Sequence, residues 1–147
     1  MKYLFSLFLT TISFSIMAQS PLAAHRWEDR VLLLFAERPD AAPLTNQLQR
    51  FAKARAGMDD RKLVIYQLFP DRGLDPHGKP LPESEWRRLL AEYSLGSHHF
   101  TLILIGLDGG EKWRQYEPVT VQPLFDRIDS MPMRQSELRR ENRSGGQ

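Results

Sequence analysis

The chain has 147 residues, with 20 lysines and arginines against 18 aspartates and glutamates, and 41% of its residues are hydrophobic. This length suits a single domain, and the apolar fraction excludes wholesale disorder. The chain contains no cysteine, which excludes thiol redox catalysis, disulfide bonds and metal sites built on cysteine ligands. The net charge of +2 gives no electrostatic case for nucleic acid, which we do not expect as a partner.

The first eighteen residues have the features of a secretory signal peptide. Lys2 precedes an apolar run from Tyr3 to Met17, and Ala18 supplies the small residue that a signal peptidase requires. The run is short for a membrane-spanning helix, which needs about 20 apolar residues. We predict cleavage after Ala18 and export to the periplasm or the medium, with an uncleaved anchor as the alternative. No second long apolar stretch follows, so we expect no membrane span in the mature chain.

Beyond a leader over residues 19–29, the chain alternates predicted strands and helices. Val31–Ala36 is a continuous apolar run of the kind that forms a strand buried on both faces, and the largely apolar stretches Leu63–Phe69 and Phe100–Leu107 predict a second and a third strand. A fourth strand, Glu111–Tyr116, follows an Asp-Gly-Gly turn and is predicted to pair with the third as an edge strand. The stretch Pro70–Pro82, with four prolines and two glycines, predicts a loop.

Apolar residues at helical spacing predict three helices. They run from Leu44 to Gly57, from Pro82 to Gly96 and from Thr120 to Met131, where Pro132 ends the last one. On the first helix we expect Leu44, Leu48, Phe51 and Ala52 to be buried and Gln47, Gln49, Arg50 and Lys53 to lie on the opposite side.

The resulting order, β-α-β-α-β-β-α, predicts a thioredoxin-like α/β fold with a mixed four-stranded sheet and helices on both faces. Right-handed crossovers make the first two strands parallel neighbours, and the Asp-Gly turn makes the last two antiparallel. A flavodoxin-like sheet is the alternative, although it requires more βα units and no late hairpin. We place the domain at residues 30–133 and predict that the charged tail, residues 134–147, is partly disordered.

Thioredoxin-like enzymes carry reactive thiols where the first strand leads into the first helix. Here that stretch, Ala36–Leu44, contains no cysteine, serine or threonine, and His99 stands where those enzymes have a proline before the third strand. We therefore expect no thiol oxidoreductase or peroxidase activity. The turn is either an ordinary capped turn or a binding lip that uses Arg38 and Asp40.

Three other features were considered as sites. His98 and His99 are a weak metal site, because neighbours in an extended chain point to opposite faces, and we predict no metal and no cofactor. Trp113 and Arg114 on the edge strand indicate a surface for strand addition. Arg134 follows Met131-Pro132-Met133, which is either a structural stop or a docking segment, since Met and Arg are both enriched at interfaces.

Two stretches carry a family resemblance. LIGLDGGEKWR (Leu104–Arg114), followed by RIDSMPMRQSELR (Arg127–Arg139), resembles the DUF4174 family of domains of unknown function, as does the opening RVLLLFAERPDAAPLTNQ (Arg30–Gln47). The resemblance implies a thioredoxin- or peroxiredoxin-like fold and export, because the family occurs in small exported bacterial proteins and in vertebrate sushi-repeat extracellular proteins. A redox role suggested for such domains on fold grounds does not transfer as thiol chemistry to a chain without cysteine. The resemblance lends no catalytic role to the family-motif residues, which we interpret as structural: Asp108, Gly109, Gly110, Lys112, Asp129, Met131, Pro132 and Met133.

Two functional hypotheses follow. The first is an exported, non-catalytic binding module for an envelope or extracellular protein, which uses the edge near Trp113–Tyr116 or the region of Arg134. The second is a thiol-independent enzyme, or a binder of small anions or metabolites, which uses a cleft near Arg38, Asp40 and His99 at the N-terminus of the first helix.

Overall fold

The computed structural model describes residues 20–145, so the predicted signal peptide lies outside the described residues. A short 3₁₀-helix over Pro21–His25 precedes the sheet. The strands are β1 (Arg30–Ala36), β2 (Leu63–Leu68), β3 (Gly73–Leu74), β4 (Phe100–Ile105) and β5 (Glu111–Gln115). The helices are α1 (Ala42–Lys53), α2 (Arg55–Asp60), α3 (Glu83–Glu92), α4 (Val121–Asp129) and α5 (Pro132–Ser144).

The strands form one mixed sheet in the order β3-β2-β1-β4-β5. β1 and β2 are parallel, and the other neighbouring pairs are antiparallel. The predicted parallel pairing of the first two strands and antiparallel pairing of the last two are therefore confirmed. The sheet has five strands instead of the predicted four, because Gly73 and Leu74 in the proline-rich loop pair with Leu68 and Gln67.

Helices cover both faces of the sheet, as predicted. Every residue of β1 is buried, and successive side chains of a strand point to opposite faces. Leu32 and Leu34 belong to the core layer shared with α1, α2 and α4. Val31 and Leu33 belong to the layer shared with α3. This double burial explains why β1 is a continuous apolar run in the sequence.

The C-terminal segment differs from the prediction of a charged, partly disordered tail. Residues Pro132–Ser144 form α5, and Pro132 occupies its first turn, where a proline costs no helical hydrogen bond. Arg134 is the one residue of α5 that is buried. The helix is attached to the domain through this charged side chain, so its sequence shows no apolar stripe.

Candidate functional site

The turn between β1 and α1 holds two exposed ion pairs. The Arg38 Nε lies 3.3 Å from Asp40 Oδ1, and the His99 Nδ1 lies 2.6 Å from Glu37 Oε1. All four side chains are largely exposed. The structure brings Arg38 and Asp40 together, as expected of a turn, and places His99 within hydrogen-bond distance of Glu37. Exposed pairs of this kind contribute at most about 1 kcal/mol, so a ligand could separate them at little cost.

Beside this turn lies a depression of about 600 Å³, here called the aromatic depression. At its centre the His98 and Tyr116 rings stack, with centroids 3.8 Å apart and an angle of 28° between the ring planes. Tyr116 is 47% exposed, so much of its ring is open to solvent. The lining residues are Pro43, Ser97, His98, His99, Phe100, Tyr116, Glu117 and Pro118.

A buried glutamine holds one wall of this depression in place. The Gln47 side chain on α1 accepts a hydrogen bond from the Val119 backbone N–H at 2.7 Å and donates one to the Val119 carbonyl at 3.2 Å. The expectation that Gln47 lies on the exposed side of its helix is therefore wrong. Its position three residues after Leu44 and four before Phe51 places it on the buried face.

The sequence indicated Tyr116 only as the end of the edge near Trp113 and His98 only as a neighbour of His99, and the stacking of His98 on Tyr116 was not predicted. The predicted hairpin of β4 and β5 could have indicated that the two residues meet, because His98 lies two residues before β4 and Tyr116 one residue after β5. The two strands are antiparallel, with Leu102 opposite Gln115, so these ends meet at one edge of the sheet.

Trp113 and Arg114, predicted to contribute to one edge surface, lie on opposite faces of β5. Trp113 packs against the core layer of α1 and α4, with the Arg127 guanidinium 5.4 Å from its ring centroid. Arg114 donates hydrogen bonds to both carboxylate oxygens of Glu111 and, from Nη1, to the Tyr93 carbonyl at 3.0 Å. The hydrogen bonds to Glu111 raise the pKa of Arg114. Both side chains are therefore occupied within the domain.

Arg134 is only 2% exposed, so it is not available as a docking contact. Its guanidinium contacts carboxylates from three helices: Asp60 of α2, Asp129 of α4 and Glu137 of α5. Arg61 pairs with the same Asp129 at 2.6 Å. The structural interpretation of this segment, which the sequence left open, agrees with this network.

The Asp-Gly-Gly turn between β4 and β5 is closed by its own side chains. Asp108 accepts one hydrogen bond from the Gly110 backbone N–H at 3.0 Å and a second from Lys112 Nζ at 2.6 Å, with which it also forms an ion pair. The hydrogen bond from Lys112, followed by that from Gly110, lowers the pKa of the Asp108 carboxyl. Gly109 has φ +81°, a backbone conformation that glycine adopts without strain.

The two family motifs meet in space, which their separation in sequence did not reveal. The turn residues Leu107, Asp108 and Lys112 form one side of a groove of about 320 Å³, and Met131, Pro132 and Met133 form the other. Gly106 and the buried Arg30 complete the lining. We call this the motif groove. Arg30, which lines the motif groove, is the first residue of β1, whereas Ala36, at the other end of β1, leads into the turn beside the aromatic depression. The two sites therefore lie at opposite ends of the sheet.

The described residues form neither a cluster of metal-ligating side chains nor a helix suited to the membrane. Within residues 20–145, no three histidine, aspartate or glutamate side chains gather closely enough to hold a metal ion. Over the same range, no helix combines the length and the apolar character that crossing a membrane requires.

Comparison with known proteins assigns a family and a fold. The family model described as "Domain of unknown function (DUF4174)" matches residues 21–137, which include the first motif, the second motif as far as Glu137 and the start of α5. The reduced 2-Cys peroxiredoxin of Plasmodium vivax superposes with a TM-score of 0.54 at 13% identity, over 78% of this chain and 84% of that chain. The predicted thioredoxin-like α/β fold is thereby confirmed, and at that identity the likeness carries the fold alone. No curated protein sequence matches the chain significantly.

Proposed function

Because this chain belongs to the DUF4174 family, has a thioredoxin-like fold and lacks cysteine, we propose that it is an exported, non-catalytic binding domain. The proposed partner is an envelope or extracellular protein that presents an apolar or proline-rich segment. The proposed contact surface is the aromatic depression.

The observation that carries this proposal is the composition of the turn after β1. In a thiol enzyme of this fold a low-pKa thiolate lies there, whereas here the turn holds the Arg38–Asp40 and Glu37–His99 ion pairs. Neither pair contains a hydroxyl or thiol nucleophile. The turn therefore lacks the thiol on which the chemistry of such enzymes depends, and its charged, exposed side chains are suited to contact with a partner.

The chemistry of the aromatic depression favours a polypeptide partner. An exposed tyrosine offers a large, rigid contact area with one polar end, and aromatic residues are enriched at protein interfaces. Grooves lined by aromatic side chains bind extended proline-rich segments, because such segments lose little conformational entropy on binding. Tyr116, His98 and the flanking Pro43 and Pro118 provide surfaces of this type.

The binding role is tested by capture from envelope extract. Residues 19–147 serve as bait beside the Tyr116→Ala variant, and Trp27→Ala is the matched control, because Trp27 is also an exposed aromatic residue but lies near the other end of the sheet. We expect a protein that the wild-type domain and Trp27→Ala retain and Tyr116→Ala loses. The captured protein is then purified and its dissociation constant measured with all three baits. Equal affinity for Tyr116→Ala would place the contact elsewhere.

Export is tested separately. The full 147-residue chain is expressed in a Gram-negative host, and the periplasmic fraction is examined by intact mass and N-terminal sequencing. We expect a mature protein that begins at Gln19. A product that retains Met1 and stays with the membrane would instead support the uncleaved anchor.

The second candidate is a binder of small anions at the N-terminus of α1. This helix has no side-chain cap, so its first backbone N–H groups are open to a ligand, and Arg38 lies nearby on the preceding turn. Phosphate, sulfate and a panel of carboxylates are added to the mature protein in thermal denaturation. A ligand at 100 times its dissociation constant adds about 2.7 kcal/mol to the free energy of unfolding. An unchanged melting temperature throughout the panel would exclude this candidate.

A further inference from the structure

Arg30, which lines the motif groove, carries a buried N–H group that the protein leaves without a partner. Arg30 is only 1% exposed. Its Nη1 donates to the Arg61 carbonyl at 3.0 Å, and both Nη atoms donate to Glu137 at 3.3–3.4 Å. Its Nε has no acceptor and is closed off from water. Among the described residues it is the one buried side-chain nitrogen or oxygen in this condition.

An orphaned donor of this kind is costly. A buried N–H without an acceptor lowers stability by about 1–3 kcal/mol, and more when the group is charged. Folded proteins satisfy most such groups, so an exception calls for an explanation. Arg30 lines the motif groove. A ligand bound in that groove would account for the missing acceptor by supplying it.

The charges around the groove identify the acceptor as an uncharged oxygen. Lys112 is already paired with Asp108 at 2.6 Å, and Arg30 is already paired with Glu137 at 3.3 Å. A carboxylate on the ligand would therefore approach two existing carboxylates without meeting an unpaired cation. A carbonyl oxygen accepts the same hydrogen bond without this repulsion.

The other side of the groove is apolar and adaptable. Met133 is 41% exposed, one of the few large apolar side chains that extend into solvent in the described part of the chain. Methionine is unbranched and flexible, and it is used at surfaces that adjust to their ligand. Since the Arg30 Nε is closed before binding, a ligand must open the groove locally, and Met131 and Met133 are the lining side chains best able to move.

We propose that the motif groove binds an uncharged, apolar polypeptide segment. One apolar side chain of the segment packs against Met131 and Met133, and a neighbouring backbone carbonyl accepts the hydrogen bond of Arg30 Nε–H. The Lys112–Asp108 pair forms the polar rim. This site is independent of the aromatic depression, because the two lie at opposite ends of the sheet and share no residue.

A small probe tests the proposal directly by nuclear magnetic resonance. N-acetyl-leucine methylamide carries an apolar side chain between two peptide carbonyls and no charge. It is titrated into the ¹⁵N-labelled mature protein while the Arg30 Nε–H correlation, assigned through bonds to the Arg30 backbone, is followed. We expect that signal to move in a saturable way.

Two variants locate the site. In Met133→Ser the apolar wall is reduced, and we expect affinity for the probe to fall about tenfold, the effect of exposing most of one apolar side chain. Met133 is exposed, so the variant is expected to fold, which its backbone amide spectrum verifies. Asn46→Ala, at an exposed residue near the start of α1 that lines neither the motif groove nor the aromatic depression, is expected to bind the probe with unchanged affinity.

Three outcomes would overturn the proposal. The first is an Arg30 Nε–H signal that stays fixed up to the solubility limit of the probe. The second is a saturable shift with the same affinity in Met133→Ser. The third is binding of hexanoate, an apolar acid of similar size, as tightly as the uncharged probe, because that would identify a carboxylate site. Loss of partner capture by Tyr116→Ala has no bearing on these results, so this proposal and the proposed function fail separately.

Discussion

Arg134 lies where α5 meets α2 and α4, surrounded by carboxylates from all three helices. The network shields it almost completely from water. Removing Arg134 would leave Asp60 and Asp129 with Arg61, and Glu137 with Arg30, as their remaining cationic partners, and the loss of one charge from a buried network costs more than the net contribution of the pair itself. At the scale of single residues, this side chain therefore fixes the position of a whole helix.

We predict that Arg134→Ala lowers the free energy of unfolding by about 3 kcal/mol. Urea denaturation measures the difference, and Arg139→Ala is the matched control, because Arg139 is an exposed arginine of the same helix. The control is expected to change stability by no more than about 0.5 kcal/mol. Equal effects of the two substitutions would mean that the network contributes nothing specific.

Tyr66 provides a second prediction at this scale. Burial, followed by the charges of Asp75, Glu85 and Asp29, raises the pKa of its hydroxyl to about 12, against about 10 for an ordinary tyrosine. The folded state thus holds this proton more tightly than the unfolded state. The associated stability is fully present below about pH 10 and is lost as the pH rises towards 12.

We therefore expect the urea midpoint of the wild-type protein to fall between pH 10 and pH 12. In Tyr66→Phe this fall should be shallower, although the variant also loses the 2.9 Å hydrogen bond between Tyr66 and His25 Nε2 and so starts from a lower midpoint. Burial raises the pKa of Tyr93 to about 12 as well, so part of the fall remains in the variant. The same alkaline slope in both proteins would refute the assignment.

At the scale of elements, β3 exists because its first residue has no side chain. A Cβ on Gly73 would lie 2.7 Å from the Trp86 Cβ of α3 and 3.0 Å from Leu68 Cδ2. Glycine therefore lets the proline-rich loop approach both the sheet and the helix. This close approach allows Gly73 and Leu74 to pair with β2 as the short strand β3.

We predict that Gly73→Ala lowers the free energy of unfolding by about 1–3 kcal/mol through overpacking against α3. Gly78→Asn in the same loop is the control. Gly78 has φ +76° but nothing within 4 Å of its Cβ position, and asparagine tolerates that backbone conformation better than most residues. Chemical denaturation measures the free energy of unfolding of both variants. A neutral Gly73→Ala would show that the loop can move away without cost.

The elements differ in how far the sequence alone could predict them. β1, β2 and β4 were predicted because strands buried on both faces require apolar residues at consecutive positions. α5 was missed because it buries a single residue, Arg134, and periodicity detects only helices with an apolar stripe. β3 was missed because two residues in a loop carry no strand pattern. Gln47 was misplaced because its polarity was weighed above its position on the buried face.

At the scale of the whole molecule, the fold of a peroxiredoxin is present without the group that performs its chemistry. Peroxide reduction by a protein thiol begins with attack of a thiolate, which this chain cannot supply. We predict that the mature protein consumes hydrogen peroxide, in the presence of a dithiol reductant, no faster than buffer alone. A peroxiredoxin is the positive control, and a rate above the buffer rate would require a nucleophile or redox centre that we have not identified.

The two candidate sites also belong to this scale, because each joins segments that are distant in the chain. The aromatic depression combines the start of α1 with the residues before β4 and after β5. The motif groove combines the β4–β5 turn with the start of α5. The antiparallel hairpin of β4 and β5 sends these two sets of residues to opposite ends of the sheet.

The sequence by itself determined the order of the main strands and helices, the membership of the family and the lack of thiol chemistry. These properties depend on residue types and on spacing along the chain, which need no knowledge of distant contacts. Tertiary structure alone decided that Arg134 is buried, that Arg114 is bonded to the Tyr93 carbonyl, and that the Arg30 Nε has no acceptor. Burial and pairing of a charged side chain depend on which carboxylates and carbonyls the fold brings within about 3 Å of it, and that information is spread over the whole chain.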